Sequence, residues 1–160
     1  MRAFLQYAAF AAMLAMWAFT AYAVAGPHPL PPRIPTHFDL AGRPNGWGQP
    51  GMLWMLPIVA TIILGLMSLV ARHPRAFNYP LRVTPATRPR LEAIALGMIA
   101  WLQLEIAALF LLIQYAIVQS ARTARNPLPP AFMPIALLVV IGTAAWHTRN
   151  LFAAARVPTA

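Results

Sequence analysis

The amino-acid sequence predicts an all-α membrane protein: four transmembrane helices in an antiparallel bundle, with an ordered Pro/Gly-rich extracytoplasmic loop between helices one and two. The first observation is composition, because 60% of the 160 residues are hydrophobic and only 9% are charged, far from the average of soluble domains. The second is hydropathy: the chain has four long apolar segments separated by short polar connections. We expect one membrane domain over residues 1–160, with spans at about 4–25, 51–71, 91–118 and 131–147.

The first apolar segment, residues 4–25, is long enough to cross a hydrocarbon core of roughly 30 Å. Trp17 and Tyr22 near its outer end resemble an interfacial aromatic belt. Its start after Arg2 and the small residues before Gly26 are also typical of a cleavable signal peptide. We expect a retained helix, with cleavage as the alternative.

The loop at residues 26–50 collects proline, glycine and polar residues. Its early prolines exclude helix and favour extended backbone. Asp39 can close a side-chain turn, Gly42 can adopt a positive φ, and Asn45-Gly46 is a strong tight-turn pair. These residues predict a small folded loop or hairpin that reverses at Asn45-Gly46, with Trp47 at the membrane interface.

The third and fourth segments differ in length. Residues 91–118 form the longest predicted helix, whereas residues 131–147 are short for a span. We expect the fourth helix to be extended by His147 and its neighbours or to lie in locally thinned bilayer.

All twelve basic residues are arginines, and they divide unequally between the two sides of the predicted membrane. Eight lie near the termini or in the connection 72–90, and four lie on the other side. The positive-inside rule therefore predicts that both termini and the 72–90 connection lie in the cytoplasm. We interpret Arg72–Arg90 as a topology anchor on anionic lipids, and expect no nucleic-acid partner because no soluble domain is present.

Two stretches of the loop carry a resemblance to a known family. Leu30–Asp39 and Gly42–Gly48 resemble the signature of the bacterial membrane proteins that contain the domain of unknown function 1648. Phe77–Thr84 and Trp101–Glu105 are similar to segments that follow this loop in stand-alone members, so that the resemblance extends to about residue 119.

The family implies a function at the cell envelope. The same domain occurs in the N-terminal part of an immunity protein against a sporulation-delaying toxin, a larger protein with an additional membrane domain. The present sequence departs from the family pattern at Gln49, where many members place a basic residue, and at Leu40, which makes the loop more apolar. The resemblance thus implies binding, recognition or an immunity-like role through the loop at 34–48.

The loop offers four candidate recognition residues, His37, Asp39, Asn45 and Trp47. In an extended segment His37 and Asp39 point to the same side and can share a proton or, with His28, a metal ion. The alternative is structural: Asp39 accepts backbone N–H bonds in the turn while His37 packs or hydrogen-bonds across it. The helix-borne H-E-x-x-H pair of zinc hydrolases is absent, so we expect no metal, no other cofactor and no catalytic residue.

Glu105 is the candidate inside the membrane. It lies 15 residues beyond Arg90, about 22 Å along the helix, and a charge at that depth is costly unless it is neutralised, paired or in contact with water. We expect a hydroxyl neighbour among Thr20, Thr61, Ser68 and Thr143.

Glu105 also faces away from the line formed by Glu92, Gln103 and Gln114 on the same helix. Either the third helix is central and contacted on both sides, or one face meets another protomer or partner, which leaves a homo-oligomer open.

The preferred function is therefore a non-enzymatic membrane protein whose outer loop recognises a peptide, toxin or envelope component. The alternative is a small proton-coupled transporter component that uses Glu105. A metal-dependent membrane hydrolase is the remote third possibility.

Overall fold

The computed structural model describes residues 1–39, 42–125 and 127–156, and it is mostly helical. The four α-helices are α1 (Arg2–Ala25), α2 (Met55–Ala71), α3 (Arg88–Thr123) and α4 (Phe132–Ala155). With the 3₁₀ turn Pro50–Trp54 included in the second, all four segments are long and apolar enough to cross a membrane. The length and composition of these helices therefore indicate that the chain is a membrane protein.

Two short strands correct the all-α prediction. β1 (Ile34–Phe38) and β2 (Pro44–Gly48) pair as an antiparallel hairpin in the loop between α1 and α2. The extended backbone that the prolines favour is thus used for strand pairing.

The third and fourth helices extend beyond the predicted bounds. α3 has 36 residues, about 54 Å at 1.5 Å per residue, and α4 continues to Ala155. The extension of α4 packs on the start of α3: Leu91 of α3 is buried with Leu151 and Ala154 of α4, and Tyr79 and nearby residues of the connection cover them. α4 thus buries apolar residues beyond its expected span.

α3 is the central helix and packs against α1, α2 and α4. Small residues bring the helices close, as where Ala9 of α1 and Ala107 of α3 are buried with Leu64 of α2. This use of alanine is typical of helix contacts in membranes, where dispersion and close approach replace the hydrophobic driving force. α1 is part of this packing, because Met16 and Ala23 are fully buried.

Two glutamines of α3 form hydrogen bonds to α1 and α2. The Gln114 amide donates to the Thr20 hydroxyl at 2.7 Å and to the Leu53 carbonyl oxygen at 3.0 Å. The Gln103 amide donates to the Ser68 hydroxyl at 2.8 Å. Since both glutamines are buried, these bonds fix the axial position of α3 against its neighbours.

Both termini of the described chain lie at one end of the molecule. Arg2 at the start of α1, Arg72 after α2 and Leu96 of α3 line one cleft, and the last turns of α4 pack on the start of α3. The hairpin packs at the other end, on residues near the end of α3.

Candidate functional site at the hairpin, and a second cleft at Glu105

The hairpin is held on the helices by its first residue. Ile34 is fully buried in a cluster with Ala23, Leu53, Ile117 and Val118. These four residues come from α1, the 3₁₀ turn and α3, so one strand residue contacts three helical segments. The hairpin is therefore a fixed part of the fold.

The chain reverses at residues 39–43, and not at Asn45-Gly46 as the sequence predicts. The Arg43 N–H donates to Asp39 Oδ1 at 2.8 Å, and the Asp39 N–H donates to the Arg43 carbonyl oxygen at 2.9 Å. Gly42 has a φ of 74°, which glycine adopts without steric cost. Leu40 and Ala41, between these residues, lie outside the described residues.

Asn45 and Gly46 belong instead to β2. Gly46 pairs with His37, and a Cβ at Gly46 would stand 2.9 Å from the Cβ of His37. Only glycine permits this approach of the strands. Asn45-Gly46 therefore lies within a paired strand despite its preference for tight turns, and the reversal is made at the Asp39 turn.

Three of the four candidate loop residues share the exposed face of the hairpin. His37, Asn45 and Trp47 are exposed while their strand neighbours are partly buried. Within β2 this follows the alternation of side chains along a strand, and the irregular register at His37 brings its side chain to Asn45. His37 Nδ1 is hydrogen-bonded to Asn45 Oδ1. The fourth residue, Asp39, is engaged in the turn.

The candidate metal set is not assembled. Within the described residues no three histidine, aspartate or glutamate side chains come together, so His28 is not grouped with His37 and Asp39. Nor do the described residues contain an ion pair between His37 and Asp39. At this face His37 and Asn45 offer hydrogen bonding, and Trp47 offers aromatic contact.

An apolar pocket of about 200 Å³ lies beneath the hairpin. The hairpin contributes one wall from Thr36 to Asp39, α3 a second wall from Ile113 to Ile117, and the segment Leu128–Met133 before and within α4 the third. Sequence reasoning missed the second and third walls, because nothing in residues 113–133 signals contact with a loop some 80 residues earlier.

Glu105 lies in a second, more open cleft between α3 and α4. The Thr143 hydroxyl donates to Glu105 Oε1 at 2.5 Å, while Oε2 is shielded and has no hydrogen-bond partner among the described residues. Of the four hydroxyl residues that the sequence offered, Thr143 is the neighbour. Trp101, Trp146 and His147 also line this cleft, whose volume is about 530 Å³.

The structure places Glu105 closer to the terminal end of the helices than counting from Arg90 suggests. The Gln103 amide donates to the Ser68 hydroxyl, so these two residues lie at the same level. Ser68 precedes Arg72 by one turn, and Glu105 lies two residues beyond Gln103 in the opposite direction. Glu105 is therefore about 9 Å from the level of Arg72. The sequence-based distance is larger because α3 begins well beyond the ends of α1 and α2. Gln103 and Gln114 face α1 and α2 while Glu105 faces α4, so α3 is contacted on both polar faces.

Comparison with known proteins adds one finding. Residues 11–61, which include most of α1, the hairpin and the start of α2, match the model of a family described as Domain of unknown function (DUF1648). No curated protein and no solved structure gives a significant match. The match supports a membrane protein that carries a domain of unknown function, and its bounds enclose the hairpin.

Proposed function

We propose that this chain is a non-enzymatic protein of the bacterial inner membrane that binds a hydrophobic peptide of the cell envelope at its hairpin, residues 34–48. In this proposal the four helices form an antiparallel bundle, both termini are cytoplasmic and the hairpin faces outward. The observation that carries the proposal is the apolar pocket beneath the hairpin.

The size of the pocket favours part of a peptide over a free small molecule. Its volume of about 200 Å³ is below the roughly 300–1,000 Å³ of sites that enclose drug-sized ligands. It is suited to one or two apolar side chains of a longer ligand. The rest of such a ligand would lie across the hairpin and the membrane surface.

The exposed face of the hairpin supplies the contacts that such a ligand needs outside the pocket. Trp47 is 53% exposed, and tryptophan is typical of binding hot spots and of membrane interfaces. His37 and Asn45 add a paired donor and acceptor beside it. An amphipathic peptide can thus place apolar residues in the pocket and polar groups on this face.

An immunity-like role is the sharper form of this proposal. It is supported by the resemblance of Leu30–Gly48 to the loop of a family that includes a toxin-immunity protein. A membrane-active toxin is a hydrophobic peptide of the kind that the pocket suits. Binding at the hairpin would hold such a toxin at the outer surface.

Survival under peptide challenge tests the proposal. A deletion strain is exposed to a panel of envelope stresses and antimicrobial peptides, and is complemented with wild type, His37→Ala or Trp47→Ala. We expect wild type to restore resistance to at least one hydrophobic peptide. Trp47→Ala should lower that resistance several-fold at equal protein level, because truncating a hot-spot residue costs about 2 kcal/mol or more of binding free energy. The control is Ala76→Ser, because Ala76 is exposed at the end of the molecule opposite the hairpin, and this variant should restore full resistance. Equal protection by all variants would refute the hairpin as the binding site.

A transporter component is the second candidate, and the unpartnered Oε2 of Glu105 favours it. A carboxyl group that borders a cleft and has one oxygen without a hydrogen-bond partner among the described residues is a candidate for proton transfer. The test is proton flux in liposomes that contain the purified protein, with Glu105→Gln compared with Glu92→Gln, which changes a carboxyl group outside the cleft. Transport predicts at least tenfold lower flux for Glu105→Gln alone, whereas no flux above empty liposomes would exclude it.

A further inference from the structure

A cleft at the terminal end of the molecule brings two arginines of different helices together. Arg2 at the start of α1 and Arg72 directly after α2 both line it, and Leu96 of α3 closes the third side. The cleft has a volume of about 290 Å³. It lies at the opposite end from the hairpin and does not depend on the function proposed above.

Among the described residues no carboxylate pairs with either guanidinium group. The chain has only three acidic residues: Asp39 closes the hairpin turn, Glu92 pairs with Arg88 at 3.6 Å, and Glu105 accepts from Thr143. Among the described residues neither Arg2 nor Arg72 forms an ion pair. Two positive charges therefore border one cleft, and the part of the chain that the structure describes supplies them with no counter-ion.

The other residues that line the cleft offer both polar and apolar surface, which match the headgroup and the acyl chains of a phospholipid. Gln6 and Ser68 lie on the walls with the arginines, and Phe10 and Leu96 add apolar surface. Phe10 is also 36% exposed on the outside of α1, where a hydrocarbon chain would continue along the helix. α1 begins here without a side-chain cap, so its first backbone N–H groups are further donors for an anion.

The position of the cleft fits a lipid headgroup. Arg2 and Arg72 stand at the ends of two helices that are apolar enough to span the bilayer, which is the level of the phosphate groups. Arginine matches phosphate through paired N–H donors, and basic pockets between membrane helices on the cytoplasmic side are typical sites for acidic lipids. A zwitterionic lipid would add a third positive group to the cleft.

We propose that the cleft between Arg2 and Arg72 binds the phosphate headgroup of an anionic phospholipid, with its acyl chain along Phe10. The site is specific to these two arginines and distinct from general attraction of lipids to the other arginines of the connection 72–90.

Native mass spectrometry of the full chain, released from detergent and titrated with phosphatidylglycerol or phosphatidylcholine, tests the proposal. We expect phosphatidylglycerol to bind more tightly, and Arg2→Gln or Arg72→Gln to weaken its binding about fivefold each, the effect of losing one arginine beside an anionic lipid. Both side chains are exposed, and circular dichroism would show that the helices are retained.

Arg75→Gln is the matched control, because Arg75 is an exposed arginine of the same connection that does not line the cleft. It should leave the affinity unchanged within about twofold. An equal loss for Arg75→Gln would refute a specific site, as would equal affinity for the two lipids. Competition by glycerol 3-phosphate at the same concentration as the lipid would show that the site takes a free phosphate, and would overturn the lipid assignment.

Discussion

Tyr79, in the connection between α2 and α3, packs against the start of α3 and the end of α4. It packs on the cluster of Leu91, Leu151 and Ala154, and its hydroxyl is shielded without a hydrogen-bond partner among the described residues. Burial raises the pKa of this hydroxyl above its ordinary value of 10.0, and the negative charge of Glu92 raises the pKa further, whereas Arg88 opposes the shift. The folded state thus holds the Tyr79 proton more tightly than the unfolded state does.

This shift predicts a stability change at high pH. Because the folded pKa is the higher one, the stabilising contribution is present below about pH 10 and is lost as the pH rises through the folded value. The unfolding midpoint in detergent should therefore fall above pH 10 for wild type and fall less for Tyr79→Phe. Tyr115→Phe, which changes an exposed tyrosine of α3, is the control; parallel pH curves for wild type and Tyr79→Phe would show that Tyr79 is not responsible.

The hairpin shows, at the level of an element, where local sequence preference is overruled. Asn45-Gly46 is the stronger tight-turn pair by composition, yet the Asp39 side chain and the positive φ of Gly42 set the reversal. Residues 34 and 48 are paired, and burial of Ile34 fixes which face of β1 meets the helices. A strand register set by a buried residue leaves Asn45-Gly46 within β2.

Replacement of Asp39 should loosen this element selectively. Asp39→Ala removes the acceptor of the Arg43 N–H, a loss of about 1 kcal/mol for a turn hydrogen bond, and hydrogen exchange of residues 34–48 should become several-fold faster. Asp39→Asn keeps an acceptor oxygen and should exchange nearly as wild type. If Asp39→Ala exchanges at the wild-type rate, the side chain does not hold the turn.

At the scale of the whole molecule, the hydropathy pattern was sufficient to predict four spans but not their full lengths. The match of residues 11–61 to a domain of unknown function and the four apolar helices agree with the predicted membrane protein. The extension of α4 to Ala155 depends on contacts between distant segments, such as Leu91 with Leu151. The walls of the pocket depend on the same long-range contacts, and therefore no local pattern indicates them.

The unequal arginine distribution predicts the orientation in the membrane. The end that carries Arg2, Arg72 and Arg149 should be cytoplasmic, which puts the hairpin outside. The chain contains no cysteine, so that Gln49→Cys and Ala76→Cys each provide one label site at an exposed position on opposite ends. In intact spheroplasts a membrane-impermeant maleimide should label Gln49→Cys, and should label Ala76→Cys only after permeabilisation; the reverse pattern would contradict this orientation.

The most direct test of the central claim fills the pocket beneath the hairpin. Met133 lines the pocket and Ile135, on the same helix, does not; their side chains are 44% and 57% exposed. Met133→Trp and Ile135→Trp thus introduce the same bulk inside and outside the pocket. In the deletion strain challenged with the hydrophobic peptide to which wild type confers resistance, we expect Ile135→Trp to protect fully and Met133→Trp to lose at least tenfold of the protection. Equal protection by the two variants would contradict the pocket as the binding site.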